Sequence, residues 1–191
     1  MSEIYGGENY LINLSTEPDL SSNLNLAISR NNLKGIYNAT QHGEVVTEQM
    51  LINNLPTLKV EVIEYLYYQN LLDDISLPTL LVESAKIGRQ VLFEYLQTIT
   101  MYPERYYDIA LYWAAFYNQP DMVEYIISQG GDPKYDNSGA LQWAARKGHY
   151  QVVKLLLEHG ANPKADNSNA IKWANQNKQY KIVQLLKSYM K

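Results

Sequence analysis

The sequence predicts an all-α fold, a solenoid of stacked helix-turn-helix units joined by short hairpin loops. Three observations lead to this prediction. The three tryptophans, Trp113, Trp143 and Trp173, are spaced thirty residues apart, and the residues around them recur at the same interval. Each interval contains two short apolar blocks, and Gly or Pro residues separate these blocks. A repeat of this length is typical of arrays in which each unit buries its apolar face against its neighbours.

The first apolar block sets the register of the array. The stretches ALYWAA, ALQWAA and AIKWAN begin at residues 110, 140 and 170 and align without a gap. Going back along the chain, the same period reaches residue 50 and then shortens. We therefore expect an array over residues 21–191, with units at 21–48, 49–78, 79–108, 109–138, 139–168 and 169–191. Residues 1–20 match no unit and are predicted to form a leader or cap.

Each unit is predicted to contain two helices. Leu141 and Ala144–Ala145 have the i, i+3, i+4 spacing of a short amphipathic helix, and the apolar residues of 152–157 predict a second, more buried one. Gly148 separates the two helices, and Gly160 ends the second because glycine adopts the left-handed backbone that closes a helix. The run 166–168, Asp-Asn-Ser, is predicted to form a turn and to cap the next helix, as is 136–138 one unit earlier.

Residues 144–163, AARKGHYQVVKLLLEHGANP, resemble the core of an ankyrin repeat. The resemblance covers residues 79–191 well and 22–78 loosely. Two features depart from the family: Ala-Leu-x-Trp replaces the usual Thr-Pro-Leu-His, and the period is thirty residues rather than thirty-three. This short style is similar to the ankyrin arrays of giant viruses and of their amoebal hosts.

Composition and charge narrow the class of protein. The chain has 191 residues, 46% of them hydrophobic, and no cysteine, which predicts one domain without disulfides or cysteine-based metal sites. The start of the chain lacks the pattern of a signal peptide, and no stretch has the length of a membrane span. We expect a soluble intracellular protein with no membrane association. Its predicted location is the cytoplasm, that of the host if the protein is viral.

Charge is unevenly distributed along the array. Residues 1–100 carry 5 basic and 12 acidic side chains (5 − 12 = −7), residues 101–138 carry 2 and 6 (2 − 6 = −4), and residues 139–191 carry 9 and 2 (9 − 2 = +7). Two interpretations of the basic end remain. Its lysines either solvate the outer face of a terminal unit or form a surface for an acidic protein or a nucleic acid, although a lysine cluster with few arginines is weak evidence for nucleic-acid binding.

No motif predicts catalysis. The resemblance implies that His149 ties the loops of neighbouring units together by hydrogen bonds, and His159 lies at a helix end, where a partial positive charge is favourable. Asp136 and Asp166 are a full unit apart, farther than the carboxylates of a hydrolytic pair. Metal-binding and phosphate-binding motifs are absent from the sequence. The sequence therefore predicts a protein that is not an enzyme and that has no cofactor or metal.

The resemblance implies a protein-binding surface on the concave face of the array. Its positions follow the Ala-Ala pair of each first helix, and nearby loop residues extend the surface. The predicted partner-binding residues are Lys86, Phe116, Tyr117, Arg146, Lys147 and Gln176, together with the loop residues Arg105, Tyr106, Tyr107 and Tyr135. Phe116 has two interpretations, a binding residue or a plug for the gap left by a shortened hairpin. The tryptophans are predicted to pack between units rather than to anchor a partner.

The predicted function is protein–protein interaction. In this interpretation the chain captures a protein partner, for example as a viral or parasite factor that binds a host protein. The alternative is a nucleic-acid-binding or assembly factor that uses the basic C-terminal end.

Overall fold

The structure is a computed structural model that describes residues 23–190, and its elements there are helical. The predicted leader, residues 1–20, lies outside the described residues. Within 23–190 there are no strands, so the prediction of an all-α fold is confirmed. Twelve α-helices and one short 3-10 helix, Pro103–Tyr106, are present in this part of the chain: α1 Leu24–Ser29, α2 Leu33–Gln41, α3 Glu48–Asn54, α4 Val60–Tyr68, α5 Leu77–Lys86, α6 Gln90–Ile99, α7 Tyr107–Phe116, α8 Pro120–Ser128, α9 Tyr135–Lys147, α10 Tyr150–Glu158, α11 Ala165–Gln176 and α12 Tyr180–Ser188.

The chain divides into two compact units, and the boundary between Leu80 and Leu81 falls within α5. In the first unit α1 contacts both α2 and α3. Polar side chains cap its helices: Asn23, Asn32 and Thr47 each accept a hydrogen bond from a backbone amide in the first turn of α1, α2 and α3. Such caps satisfy amides that have no partner within the helix. The core of this unit includes fully buried aliphatic side chains such as Leu24, Ile28, Ile36, Leu51, Leu58 and Ile63.

In the second unit the sequence repeat becomes a stack of helical pairs. The first helices α7, α9 and α11 contact one another in series, and so do the second helices α8, α10 and α12. Small residues allow this approach, since Ala114, Ala144 and Ala174 recur at one position of the first helices and all three are fully buried. Because a pair of short helices cannot bury its apolar face alone, each pair depends on its neighbours.

Left-handed turns precede the regular parts of α9 and α11. The φ angles of Asp136, Asn137 and Ser138 are 47°, 53° and 60°, and residues 166–168 repeat this conformation. Asp and Asn tolerate the left-handed region better than most residues. The predicted turn is confirmed, whereas the capping by residues 136–138 and 166–168 stays a prediction; the residues before α9 and α11, Lys134 and Lys164, form no side-chain capping hydrogen bond. The Ser138 hydroxyl accepts a hydrogen bond of 2.9 Å from the amide of Asn162.

Two glycines with similar backbone angles differ in their surroundings. Gly88 has a φ of 72°, and a Cβ there would lie 2.5 Å from Oε1 of Gln119. The Gln119 side chain donates a hydrogen bond of 3.1 Å to the carbonyl of Lys86, so a Cβ at residue 88 would displace it. Gly160 has a φ of 91°, and a Cβ there would lie no closer than 3.7 Å to its nearest neighbour, Cε of Lys134.

We therefore predict unequal costs for substitution of these glycines by alanine. Gly160→Ala is expected to reduce the free energy of unfolding by about 1–2 kcal/mol, the cost of a left-handed backbone with a Cβ. Gly88→Ala is expected to cost about 1 kcal/mol more, because it also breaks the Gln119 hydrogen bond. Chemical denaturation measures both values. In a Gln119→Ala background, Gly88→Ala and Gly160→Ala should reduce the free energy of unfolding by the same amount. A larger cost of Gly88→Ala in that background would contradict this explanation.

Candidate functional site

The second unit carries a row of aromatic rings on its first helices, which we call the aromatic ridge. It consists of Trp113, Phe116, Tyr117, Trp143 and Trp173. Ring centroids lie 5.5 Å apart for Trp113 and Phe116, 5.2 Å for Phe116 and Trp143, and 5.4 Å for Trp143 and Trp173. Four of these rings are half-buried, and Tyr117 is 51% exposed. The ridge is therefore a continuous surface feature across three helical pairs.

The ridge follows directly from the repeat. A spacing of thirty residues places each tryptophan at the same position of its first helix, next to the buried alanines that bring these helices together. The predicted packing of tryptophans between units is confirmed by the contact of Trp143 with Trp173. However, these rings are half-buried at the surface, while the core beneath them consists of aliphatic residues such as Leu111 and Leu141.

Three cationic side chains cover faces of these rings. The ammonium nitrogen of Lys86 lies 4.7 Å from the ring centroid of Trp113, and that of Lys147 lies 4.4 Å from the centroid of Phe116. The Arg146 guanidinium carbon lies 4.8 Å from Trp143 and 5.5 Å from Trp173. Cations at such distances are attracted by the negative face of the ring. Arg146 follows Trp143 by three residues, a spacing that puts both on one side of a helix and that was available in the sequence.

Two hydrogen bonds hold the backbone beneath the ridge. The His149 imidazole Nε2 lies 3.0 Å from the carbonyl of Phe116, and Gln119, thirty residues earlier, binds the Lys86 carbonyl in the same way. The predicted role of His149 as a tie between neighbouring units is therefore confirmed. Burial lowers the pKa of His149, and the nearby charge of Lys147 lowers it further, while the hydrogen bond to Phe116 acts in the opposite direction.

One predicted site residue lies in the core. The side chain of Tyr107 is buried, its ring packs 6.3 Å from that of Phe93, and its hydroxyl donates a hydrogen bond of 3.4 Å to Gln97. Burial, together with the nearby Tyr125 and Glu104, raises the pKa of this hydroxyl. The placement of Tyr107 on a binding surface was therefore wrong, because α7 begins at this residue and turns its side chain inward.

The other predicted residues divide into two groups. The ring and cation contacts of the ridge include Lys86, Phe116, Tyr117, Arg146 and Lys147. The remaining residues occupy separate positions on the surface. Arg105 lies over the Tyr102 ring at 5.0 Å, Tyr106 is half-buried, Tyr135 is 45% exposed, and Gln176 is exposed at the end of α11.

Comparison with known families agrees with the helical geometry. Residues 111–191 match the family model described as ankyrin repeats (3 copies). Together with the stacked helical pairs, this match shows an ankyrin-repeat solenoid over residues 111–191. No curated protein matches the sequence. Among residues 23–190, none of the helices combines the length and the apolar character needed to cross a membrane. Ankyrin repeats are generally protein–protein interaction modules and are typically not enzymes.

The number of ring contacts that each tryptophan of the ridge makes predicts how much that tryptophan contributes to the free energy of unfolding. Trp143 of the ankyrin array contacts two aromatic rings and one guanidinium, whereas Trp173 contacts one ring and the same guanidinium. Trp143→Ala is expected to cost about 2 kcal/mol, less than a fully buried tryptophan, because its ring is half-buried. Trp173→Ala is expected to cost about half as much. Urea denaturation of the two variants checks this order, and equal costs would contradict the contribution of the additional ring contact.

The burial of His149 predicts a pH dependence of the stability of the second unit. Because the folded-state pKa is lower than the usual unfolded value of about 6.5, the unfolded chain binds the proton more readily. The free energy of unfolding should therefore decrease as pH falls below about 6.5 and level off below the folded-state pKa. His149→Gln should remove this component, since Gln119 makes the same bond without titrating. Thermal melts of both proteins over this range provide the test, and identical pH profiles would exclude this role of His149.

Proposed function

We propose that this protein is a non-catalytic protein-binding module and that the aromatic ridge is its binding surface. The observation that carries this proposal is the concentration of tryptophan, tyrosine and arginine on one surface of the repeats. These side chains supply most of the binding energy in protein–protein interfaces. The match of residues 111–191 to ankyrin repeats supports the same class of function.

The ridge is also well ordered before any partner binds. Its rings contact one another, and the backbone carbonyls of Lys86 and Phe116 are held by Gln119 and His149. A surface fixed in this way loses little side-chain freedom on association, which favours affinity. We propose that Phe116 belongs to this binding surface, since its ring contacts those of Trp113 and Trp143 and is half-buried rather than enclosed in the core.

The proposal extends to the remaining predicted residues that lie at the surface. We propose that the ridge belongs to the concave face by which ankyrin arrays bind proteins, and that Arg105, Tyr106, Tyr135 and Gln176 contact the partner around it. The short thirty-residue style of the repeats supports a further proposal, that the protein is a viral or parasite factor. In that case its partner is a host protein of the cytoplasm.

Capture of partners tests this function. We expect Tyr117→Ala with Arg146→Ala to reduce recovery of specific partners from extracts of the source cells about tenfold or more, since each residue is typical of those that dominate interfaces. Quantitative mass spectrometry of the bound proteins provides the measurement. Both side chains are exposed, so circular dichroism should show unchanged helical content.

A matched control is available on the second helices. Tyr150 and Tyr180 are exposed by 46% and 64% and lie in the first turns of α10 and α12. Tyr150→Ala with Tyr180→Ala should retain the partners that the ridge variant loses. Equal recovery by the ridge variant and the wild-type protein would contradict the proposal.

The alternative function has one supporting observation. Several lysines of the last two helical pairs are exposed, which leaves the basic end accessible to a nucleic acid or to an assembly partner: Lys154, Lys164, Lys172, Lys178, Lys181 and Lys187. Lysines with few arginines are typical of a solvated surface as well. The ridge favours the protein-binding function, because tryptophan, tyrosine and arginine are the residues that dominate protein–protein interfaces.

A further inference from the structure

We propose that the ridge recognises an acidic segment of a protein, in which neighbouring carboxylates bind Arg146 and Lys147 and an apolar side chain contacts Phe116 and Tyr117. This inference rests on the proposed function and specifies the chemistry of the partner. It is carried by three features of the ridge: the absence of a carboxylate partner for Arg146 and Lys147, the contacts of these two cations with aromatic rings, and the occupied faces of those rings.

Arg146 and Lys147 have no carboxylate partner within the described residues. Both side chains are exposed, and their contacts are with aromatic rings. Lys86 differs from them, because its ammonium group already forms an ion pair with Glu83. The two neighbouring cations at the end of α9 are therefore the ones with hydrogen-bond donors available to a ligand.

The part of the chain that carries these two residues is positive, whereas residues 101–138, which carry Phe116 and Tyr117, have a net charge of 2 − 6 = −4. Residues 139–190 contain eight basic and two acidic side chains, a net charge of 8 − 2 = +6. One of the two acidic residues, Glu158, is paired with Lys154 at 3.6 Å. A positive surface of this kind attracts an acidic partner and orients it during association.

The rings orient the donors of Arg146. A guanidinium that lies against Trp143 and Trp173 keeps its N–H edges free, and these edges match the two oxygens of a carboxylate. Lys147 adds a point charge above Phe116, one residue along the chain. Since the two cations are adjacent, the partner needs two acidic side chains that are close together, with an apolar neighbour for the exposed ring of Tyr117.

The same contacts disfavour a nucleic acid. Bases bind to aromatic side chains by stacking on a free ring face. Here Lys86, Arg146 and Lys147 occupy faces of Trp113, Trp143, Trp173 and Phe116. Three rings of the ridge are also tilted against each other, by 57° for Phe116 and Trp143 and by 54° for Trp143 and Trp173, so these three offer no parallel platform. Trp113 and Tyr117 are nearer to parallel, at 29°, but Lys86 lies over the Trp113 ring.

Selection from a phage-displayed library of random peptides tests the inference without a known partner. The full chain serves as the target, and the selected peptides are sequenced and synthesised with a fluorescent label. We expect enrichment of adjacent Asp or Glu residues next to an apolar residue. Fluorescence anisotropy should show at least about tenfold weaker binding when the acidic residues of a selected peptide are replaced by their amides, since a charge-assisted hydrogen bond is lost.

Variants of the chain locate the interaction. Arg146→Gln with Lys147→Gln should weaken binding of the acidic peptide by at least about tenfold, and Arg146→Lys by less, because it retains the charge but loses the planar fork. The control is Lys181→Gln with Lys187→Gln, which removes the same charge from exposed positions of α12 and should retain binding. If the control variant lost as much peptide binding, the loss would come from the net charge of the chain rather than from Arg146 and Lys147. That result would overturn the inference.

The remaining outcomes separate this inference from the proposed function. In one of them, the library instead yields neutral or basic peptides whose binding is lost in Tyr117→Ala. This result would overturn the proposal that the bound segment is acidic, but it would leave the ridge as a protein-binding surface. Failure of both the library and the extract to yield a ridge-dependent ligand would overturn both proposals. Tighter binding of labelled oligothymidylate or oligouridylate than of the acidic peptide, lost in Arg146→Gln with Lys147→Gln, would replace the acidic segment with a nucleic acid. Salt-sensitive self-association detected by sedimentation and lost in the same variant would replace it with a second copy of the chain.

Discussion

The close contact between successive first helices is the constraint on which the second unit depends. Alanines at residues 114, 144 and 174 are fully buried where α7, α9 and α11 meet. A larger side chain at these positions would separate the helices, and dense interiors accommodate added volume poorly. The distance between first helices in turn sets the distance between tryptophans. The ridge is therefore a consequence of the same small residues that stabilise the fold.

A second constraint on the ridge comes from hydrogen bonds to the backbone of the helices that carry it. The hydrogen bonds of Gln119 and His149 bind carbonyls in the last turns of α5 and α7, at the residues whose side chains contribute to the ridge. A helix end has carbonyls without partners inside the helix, and these two side chains satisfy one such group in each case. The bonds thus join neighbouring helical pairs and prevent the ends of the first helices from fraying. Fold stability and the order of the surface have a common origin in this arrangement.

Much of this architecture could be predicted from the sequence, because it depends on periodicity and local chemistry. The spacing of Trp113, Trp143 and Trp173 revealed the stacking, and glycines 148 and 160 marked the helix ends. Tyr107 was misplaced because its burial depends on where the 3-10 helix before it gives way to α7, which no periodic signal marks. The contacts of the cations with the rings were not predicted from the sequence, for a related reason. The contact of Lys86 with Trp113 joins residues of different helical pairs, and its distance depends on how closely these pairs stack.

The cations also explain how the chain exposes so many aromatic rings. An uncovered row of tryptophans would be an apolar patch that promotes aggregation. The side chains of Lys86, Arg146 and Lys147 lie over the rings, their aliphatic stems cover apolar surface, and their charged groups remain accessible to water. This cover has a consequence for recognition. Since the electron-rich ring faces attract cations and repel anions, the charged groups above the rings are the favourable contacts for a carboxylate on these faces. The side chains that cover apolar surface of the ridge are thus the same ones that we propose to bind the carboxylates of a partner.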